Sequence, residues 1–282
     1  MLKNVLCSIG FLFCCITTVL GQNDAYTYAH EGEFGLSVGK AYYFGDLRPN
    51  NNVFNNMHAQ LALGLFYHYQ VNEYIGFKLS GNYAKLGYAD AYNNKPEYTI
   101  RNLSFENQVW EANITGIFNF FKFIPAIPEH RFTPYIGLGI GAFYHNPYTF
   151  YQGKKYFLRT IGTEGQGSEI AGVPKPYSKI GINIPLSIGV KYAINSGTNI
   201  FADVCFRFTN TDYLDDVSTV YSPNAFTPNS IGFLLQDRSH EVVPGNQFGV
   251  GKQRGSSTQK DAFATFQIGL SFNLQGYRCP KF

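Results

Sequence analysis

Eight stretches of the chain alternate apolar residues with small or polar residues at a period of two, each over roughly ten residues. Successive side chains of a β-strand point to opposite faces, so each stretch predicts a strand with one apolar face and one small or polar face. The predicted strands span residues 33–44, 59–70, 75–85, 110–120, 133–144, 180–194, 200–208 and 264–274. An even number of such strands is typical of single-chain bacterial outer-membrane barrels. We therefore expect an all-β chain that folds as an eight-stranded antiparallel transmembrane β-barrel.

The sixth predicted strand shows the clearest alternation. Isoleucine, leucine or valine occupies every second position from Ile180 to Val190, and polar residues such as Asn183 and Ser187 lie between them. Pro185 interrupts this strand. Because proline has no N–H to donate to a neighbouring strand, the sequence predicts a β-bulge at this position.

The connections between the predicted strands alternate in length, which a soluble β-sandwich does not require. Residues 45–58, 87–109, 145–179 and 209–263 form long connections, whereas residues 71–74, 121–132 and 195–199 form shorter ones. In outer-membrane barrels the long loops face the outside and the short turns face the periplasm. This pattern predicts long extracellular loops, short periplasmic turns and two periplasmic termini. Residues 230–235, within the last long loop, suggest a short strand extension above the membrane.

Aromatic residues cluster towards the ends of the predicted strands. One rim is expected to hold Tyr42, Tyr43 and Phe44, and the other Tyr67, Tyr69, Phe118, Phe120 and Phe121. Girdles of this kind mark the two membrane interfaces of a barrel, whereas a sandwich core would hold its aromatic residues in mid-strand. We therefore expect the outer face to contact outer-membrane lipids.

The first residues have the pattern of an export signal. Lys3 supplies a basic start, residues 5–20 are mostly apolar, and a cleavage site is expected before Gln22. The sequence thus predicts a signal peptide at residues 1–21 and a barrel domain at residues 22–282. A helical membrane anchor is the alternative, but the apolar run is too short to span a bilayer. Of the five cysteines, only Cys205 and Cys279 would remain, and their separation along the fold predicts no disulfide.

Charged residues fall on the inward phase of several predicted strands. They are Glu33, Lys78, Glu111, Lys191, Asp203 and Arg207. An eight-stranded barrel has an interior just wide enough for its side chains to fill, and charges are costly towards lipid. We expect these six residues to pair with one another as a structural network. A proton or ligand relay is the functional alternative, but the need to satisfy buried charge is a sufficient explanation.

Catalytic and cofactor motifs are not evident in the sequence. The histidines, at positions 30, 58, 68, 130, 145 and 240, lack metal-ligand spacing, and no nucleophile elbow or phosphate loop is present. The net charge of +3 is spread without a basic stripe, which disfavours nucleic-acid binding. We therefore expect no enzymatic activity, no cofactor and no metal. A loop-based enzyme that uses residues such as His58 remains the least favoured alternative.

An acidic segment follows the seventh predicted strand, with Asp212, Asp215 and Asp216 close together. Clustered carboxylates can bind calcium, which takes oxygen ligands. The segment lacks the EF-hand pattern, however, so a hydrogen-bonded turn is the favoured interpretation.

The same segment carries a family resemblance. The run Thr211, Asp212, Tyr213, Leu214, Asp215, Asp216, continuing to Tyr221, resembles a signature of PorG-type outer-membrane proteins of the type IX secretion system. Three other stretches, at residues 33–47, 132–147 and 162–167, are similar to the first strand and loop, the fifth strand and the large loop of that family. The resemblance covers nearly the whole mature chain.

The resemblance implies a non-enzymatic component of a protein-export machine in outer membranes of the Bacteroidota type. It implies partners among PorK-like and PorN-like subunits of a periplasmic ring, for which residues 122–131 and 275–282 are candidate docking surfaces. Related barrels also occur outside type IX systems. A general small barrel for envelope integrity or surface adhesion is therefore the second hypothesis.

Overall fold

The computed structural model describes residues 32–47 and 59–274. The predicted signal peptide, His30, His58, Cys279 and the candidate docking tail at residues 275–282 lie outside the described residues. The division into a signal peptide and a barrel domain therefore stays a prediction. Cys205 is a free, buried thiol.

The described residues form one ten-stranded antiparallel sheet that closes on itself. Its strands are β1 (Gly32–Phe44), β2 (Gln60–Gln70), β3 (Ile75–Ala89), β4 (Ser104–Asn119), β5 (Phe132–Tyr144), β6 (Tyr148–Tyr151), β7 (Lys154–Phe157), β8 (Ile180–Ala193), β9 (Thr198–Thr209) and β10 (Ala262–Leu274). The order is β3-β2-β1-β10-β9-β8-β5-β4, followed by β6 and β7, and an added β3–β4 pairing closes the ring. The prediction of an eight-stranded antiparallel barrel is confirmed, and β6 and β7 form an extra hairpin outside the ring.

The outer face of the barrel carries a continuous belt of exposed apolar side chains. Every barrel strand contributes to it, through Phe34, Leu36, Val38, Leu63, Leu65, Phe77, Leu79, Ile114, Leu138, Ile140, Ile182, Ile184, Ile188, Val204, Ile268 and Leu270. Most of the alternate residues point inward and are small or polar, as the period-two pattern predicted, although β4 also buries Val109 and Ile117 on this face. An apolar band around a polar interior is the surface that a membrane-spanning barrel presents to lipid.

Strands β3 and β4 are longer than predicted at the end where the long loops lie. Their pairing continues to Ala89 opposite Ser104, beyond the predicted limits at residues 85 and 110. Lys85, at the predicted limit of β3, and Glu106, in the extension of β4, occupy outward positions and form an ion pair at 2.9 Å. The predicted strands ended too early because the outer face becomes polar at this point, whereas the strand pairing continues.

The predicted β-bulge at Pro185 is wrong. Leu138 pairs with Leu186 and Gly141 pairs with Asn183, so two residues separate these pairs on each strand and no extra residue is inserted. Pro185 pairs in register with Arg207 on the other side. The missing donor of proline thus opens a gap in the β5–β8 ladder without changing its register.

The last long loop holds a helix where the sequence suggested a strand. Besides helix α1 (Pro96–Arg101) and helix α2 (Leu158–Ile161), helix α3 spans Ile231–Gln236. The Ser230 hydroxyl caps α3 by accepting a hydrogen bond from the Phe233 N–H at 3.3 Å. The period of a short apolar run does not distinguish a strand from a helix. The hydrogen bond from the Phe233 N–H to Ser230 at the start of this segment favours the helix. None of the helices in the described ranges is long and apolar enough to cross a membrane.

The hydrophobic core lies at the end of the barrel where the long loops gather. Strand ends contribute Leu86, Phe105, Val109, Phe143 and Phe263, and loop residues contribute Leu47, Leu158, Leu214, Val217 and Leu235. We refer to the described loop residues 45–47, 90–103, 145–179 and 210–261 as the long-loop cap. Tyr43, predicted to lie in a rim girdle, is buried in this core, where its ring meets Phe105 edge-on at 4.8 Å.

Candidate functional site in the barrel interior and the long-loop cap

A buried ion pair crosses the barrel interior towards the end where the long loops lie. Arg207 on β9 donates from Nε and Nη2 to Oε1 of Glu111 on β4, at 3.0 and 2.7 Å. The second oxygen of Glu111 accepts a hydrogen bond from Asn183 Nδ2 at 2.8 Å. Nη1 of Arg207 donates to the Cys205 carbonyl and the Thr265 hydroxyl. The guanidinium and the carboxylate therefore satisfy each other away from water.

A second charge cluster lies nearer the short-turn end of the barrel. Glu33 Oε2 lies 2.9 Å from Lys191 Nζ and 2.9 Å from His68 Nδ1. The other oxygen of Glu33 accepts hydrogen bonds from Asn199 Nδ2, at 3.1 Å, and from the Ser271 hydroxyl. Glu33 thus uses both oxygens within the barrel.

The third opposite-charge pair joins Lys78 and Asp203, with Nζ and Oδ2 3.7 Å apart. The Tyr135 hydroxyl donates to the same oxygen of Asp203 at 3.1 Å. The structure therefore places all six sequence-predicted interior charges inside the barrel, as three pairs of opposite sign. We call these six residues and His68 the interior network. No pattern in the sequence connects His68 with Glu33.

The space left between these side chains is small. Two cavities of about 30 Å³ each lie inside the described part of the barrel, one lined by Glu33, His68 and Tyr135 and the other by Asn113, Asp203 and Arg207. At the short-turn end, the Phe123 side chain is buried beneath Lys191, whose Nζ lies 4.4 Å from the ring centroid. Volumes of this size hold a few water molecules, and the side chains fill most of the remaining interior that these residues line.

The sequence-predicted run from Thr211 to Asp216 lies at the centre of the long-loop cap. Leu214 is fully buried among the apolar strand ends. Its N–H donates to Asp261 Oδ2 at 2.8 Å, and its carbonyl accepts from Asn107 Nδ2 at 2.8 Å. This segment therefore fastens the last long loop to β4 and to the start of β10.

The three aspartates of this segment point to different partners. Asp212 accepts from the Ser218 hydroxyl at 2.6 Å, and Asp215 accepts from the N–H groups of Val217 and Leu47 at 2.9 and 3.1 Å. Asp216 accepts hydrogen bonds from the side chains of Thr163 and Tyr177. No group of three metal-binding side chains occurs within residues 32–47 and 59–274. The arrangement matches the hydrogen-bonded turn that the sequence favoured over a calcium site.

A buried Glu164–Arg254 pair connects two long loops. Glu164 accepts hydrogen bonds from the N–H groups of Ser218 and Thr219 at 2.8 and 3.0 Å, and lies 3.1 Å from Arg254 Nη1. The same nitrogen of Arg254 donates to the Asp216 carbonyl at 2.6 Å. Sequence reasoning missed this pair, because its members lie in different loops without a shared period.

Burial shifts the acid–base behaviour of the cap. Loss of hydration raises the pKa of Asp215 to about 8 and those of Asp212 and Asp216 to about 6. The nearby Asp261 carboxyl also has a raised pKa, first because of burial and then because of the charge of Asp215. The cap therefore holds protons on carboxyl groups at pH values where exposed aspartates are ionised.

An aromatic stack accompanies these carboxylates. Tyr177 and Tyr213 stack with ring centroids 4.5 Å apart, and His145 stacks on Tyr177 at 5.8 Å. Burial lowers the pKa of His145 to about 4, which keeps its ring neutral. His240 contacts the backbone carbonyl of Asp237 at 3.0 Å. These histidines occupy packing and backbone-bonding positions rather than positions beside a nucleophile.

A family model described as a domain of unknown function, DUF6089, matches residues 11–236. No curated protein matches the chain. Among solved structures, the neisserial surface protein A is 9% identical with a TM-score of 0.41, covering 86% of this chain and 96% of its own. Ail, the attachment invasion locus protein of Yersinia pestis, was solved with the heparin analogue sucrose octasulfate. It is 11% identical with a TM-score of 0.39, and the match covers 87% of this chain and 99% of the Ail chain. OprG from Pseudomonas aeruginosa is 11% identical with a TM-score of 0.37, and the match covers 88% of this chain and 98% of the OprG chain.

Proposed function

The chain belongs to the DUF6089 family, and we propose that it is a non-enzymatic, plugged outer-membrane barrel that anchors or docks a periplasmic protein complex. The observation that carries this proposal is the filled interior. Three opposite-charge pairs cross it, and the long-loop cap covers one end. A barrel whose interior is filled by side chains is suited to act through its surfaces, for example as an anchor or a docking platform.

We assign the long-loop cap to the outside of the cell and the short turns to the periplasm. The described ends of the chain agree with this assignment, since Gly32 pairs with Leu274 at the short-turn end of the barrel. Short periplasmic turns and longer outer loops are the rule in bacterial barrels. Both termini then face the periplasm, where a partner complex is accessible.

The finer proposal is a role in type IX secretion in Bacteroidota, with PorK-like and PorN-like ring subunits as partners. Its support is the sequence resemblance in the Thr211–Asp216 run, not the barrel itself. In this proposal the exported protein passes through another pore, while this chain supplies the membrane anchor.

The turn at residues 122–131 is the docking surface that the described structure favours. Its backbone is fixed by hydrogen bonds, including Phe123 N–H to the Glu73 carbonyl at 3.2 Å and Ile124 N–H to the His130 carbonyl at 2.9 Å. Phe123 is buried in the barrel mouth, while Ala126 and Glu129 are exposed. An ordered turn with an exposed tip loses little conformational entropy when it binds.

The test is site-specific photocrosslinking in native outer membranes, followed by affinity purification and mass spectrometry. A photoreactive residue at Glu129 should crosslink to PorK-like or PorN-like subunits, whereas the same residue at Glu169, exposed in the long-loop cap, should not. Two results together would refute the secretion role. Both crosslinking positions would yield the barrel alone, and a strain that lacks this protein would export type IX cargo normally.

A general barrel for envelope integrity or surface adhesion is the second candidate. The observation that favours it is the ordered long-loop cap, which buries Leu214, Leu235 and the Glu164–Arg254 pair far from any periplasmic partner. A deletion strain with a leaky envelope, or with lost surface attachment, and with normal export would support this candidate over the first.

A further inference from the structure

The long-loop cap contains a large open cavity. It has a volume of about 620 Å³ and lies between residues 45–46, helix α1 and the segment 248–259 of the last long loop. Its lining includes the exposed residues Gln253 and Gln259 and the buried residues Arg101 and Arg254. The cavity therefore reaches from the surface of the cap into its interior, and its volume is that of a small-molecule site.

Two buried arginines form the inner part of the lining, and each is held by several contacts. Arg101 donates from Nε and Nη2 to the two oxygens of Asp90, at 2.6 and 2.8 Å. Arg254 donates from Nε to the Gln236 carbonyl at 3.2 Å and from Nη1 to Glu164 at 3.1 Å. Arg101 Nη1 also donates to the Arg254 carbonyl at 2.9 Å. Because the fold fixes both guanidinium groups, a ligand meets them already oriented.

Two buried polar groups of this lining have no protein partner. Arg254 is 3% exposed, and its Nη2 forms no hydrogen bond with any residue in the described ranges. Tyr221 is 1% exposed and also lines the cavity, and its hydroxyl has no partner within residues 32–47 and 59–274. A buried donor without a partner is costly, so this end of the cavity favours a ligand that supplies acceptor oxygens.

The charges of the lining are balanced in pairs. Each of the two buried arginines has the carboxylate partner given above, and at the surface Lys95 and Glu97 lie 4.0 Å apart. Asp46 adds a further carboxylate, whose Oδ2 accepts from the Ser256 N–H at 2.7 Å. The described lining thus offers no excess of positive charge to an anion, and its guanidinium groups disfavour a cation. A neutral ligand fits this balance.

Aromatic rings supply the apolar part of the lining. Phe248 is half-buried and stacks on Tyr221, with ring centroids 4.9 Å apart and ring planes at 14°. Tyr98 lies beside Arg101, whose Cζ is 5.0 Å from the ring centroid. The remaining lining residues are polar or glycine. Flat rings beside hydrogen-bonding side chains match a sugar, which has C–H groups on the faces of its ring and hydroxyl groups around the edge.

We propose that this cavity binds a neutral saccharide outside the cell. Arg254 Nη2 donates to a sugar hydroxyl, Gln253 exchanges hydrogen bonds with others, and Phe248 contacts the C–H face. A peptide is less well matched, because the N–H groups of Arg254, Gly255 and Ser256 already donate within the cap. This segment therefore offers no strand edge to a second chain. The inference rests on the outward orientation assigned under the proposed function, but it needs no periplasmic partner.

The chain offers two matched controls. Gln253 and Gln247 are exposed glutamines of the same loop, and of the two only Gln253 lines the cavity. Phe248 and Tyr92 are both aromatic residues of the long-loop cap, but Tyr92, 58% exposed, lies outside the cavity lining. Substitution of each pair by alanine therefore makes a similar chemical change inside and outside the proposed site.

The test is binding of the purified, detergent-solubilised full-length protein to an array of neutral oligosaccharides and their sulfated and sialylated counterparts. The wild type should bind a neutral oligosaccharide more strongly than its acidic counterparts, and that oligosaccharide is then titrated in solution. Gln253→Ala should weaken its binding about threefold to tenfold, the effect of one lost hydrogen bond, and Phe248→Ala about tenfold. Gln247→Ala and Tyr92→Ala should bind like the wild type. Gel migration of unheated samples and limited proteolysis verify that the barrel and the cap of each variant are folded.

Three results would each overturn the proposal. The wild type would bind no neutral oligosaccharide on the array, or it would prefer the acidic ones, or Gln253→Ala and Gln247→Ala would bind with equal affinity. Capture of peptides from a peptide array without any binding of saccharides would likewise assign the cavity to another class of ligand. Failure of the saccharide test leaves the docking role standing, and failure of the crosslinking test at Glu129 leaves the saccharide site standing.

Discussion

Arg207 spans the barrel interior from β9 to Glu111 on β4, and two of its nitrogens donate to a single carboxylate oxygen at 3.0 and 2.7 Å. Both side chains are almost completely buried, at 2% and 5% exposure. Removal of one partner would leave the other charge in the interior without compensation, which costs more than the intact pair contributes.

Glu111→Ala should therefore lower the free energy of unfolding by about 3–5 kcal/mol. Urea unfolding in detergent micelles, followed by the fluorescence of the single tryptophan, measures the change. Glu129→Ala, in an exposed turn, serves as a control with little effect. The double variant Glu111→Leu/Arg207→Leu should regain much of the loss, because no charge is left unpaired. Full stability of Glu111→Ala together with a lost activity would contradict a structural role.

Leu214→Ala should loosen the long-loop cap while leaving the barrel strands paired. Leu214 is fully buried, and truncation of a buried leucine costs about 2–5 kcal/mol. Limited proteolysis should cut the cap of this variant faster, with an intact barrel core. Val220→Ala, at a residue that is 37% exposed, should behave like the wild type. Unchanged proteolysis of Leu214→Ala would refute the fastening role of this segment.

The cap should be more stable at pH 5.5 than at pH 8.5. Burial raises the folded-state pKa of Asp215 to about 8 and those of Asp212 and Asp216 to about 6, above the ordinary value of about 3.9. The folded cap then binds more protons than the unfolded chain between about pH 4 and pH 8, so stability falls as pH rises through that window. The protection factors of backbone amides in the long-loop cap, measured by hydrogen exchange at the two pH values, give the difference.

Asp215→Asn should flatten this pH profile, whatever its stability at pH 5.5, because the group with the highest raised pKa no longer titrates. Glu169→Gln, an exposed carboxyl in the same cap, is the matched control and should keep the wild-type profile. Higher amide protection in the long-loop cap at pH 8.5 than at pH 5.5 would contradict the raised pKa values of these aspartates.

Trp110 should lie at a shallow depth in the bilayer. It is the single tryptophan of the chain, is 59% exposed, and lies at the edge of the apolar belt beside Tyr83. Lipids brominated near the headgroup should quench its fluorescence more strongly than lipids brominated near the acyl end. Quenching by aqueous iodide but by neither lipid would show that this face meets water.

The sequence was sufficient to predict the barrel because the period of two survives in every strand, and the apolar face of β8 is the clearest case. It also placed Glu33 and Arg207 on the inward phase. It did not determine that Glu33 meets Lys191 or that Arg207 meets Glu111, because those contacts depend on the stagger of the closed sheet and on strands far apart in sequence.

The long-loop cap was least accessible from the sequence. The Asn107–Leu214 and Glu164–Arg254 contacts join residues 107 and 90 positions apart, and no periodic pattern connects them. Helix α3 and the β6–β7 hairpin are too short for their pattern to identify them. The Thr211–Asp216 run was visible in the sequence as an acidic turn and a family-like motif, but its fastening role follows from the contacts of Leu214.

The central claim, a membrane-spanning barrel with a filled interior, is tested most directly by electrical recording in planar lipid bilayers. The two described interior cavities of about 30 Å³ predict that inserted, folded protein carries no steady current. Insertion is verified in the same bilayers by quenching of Trp110. Stable, repeatable open-channel currents from folded wild-type protein would contradict the filled interior and, with it, the anchoring role.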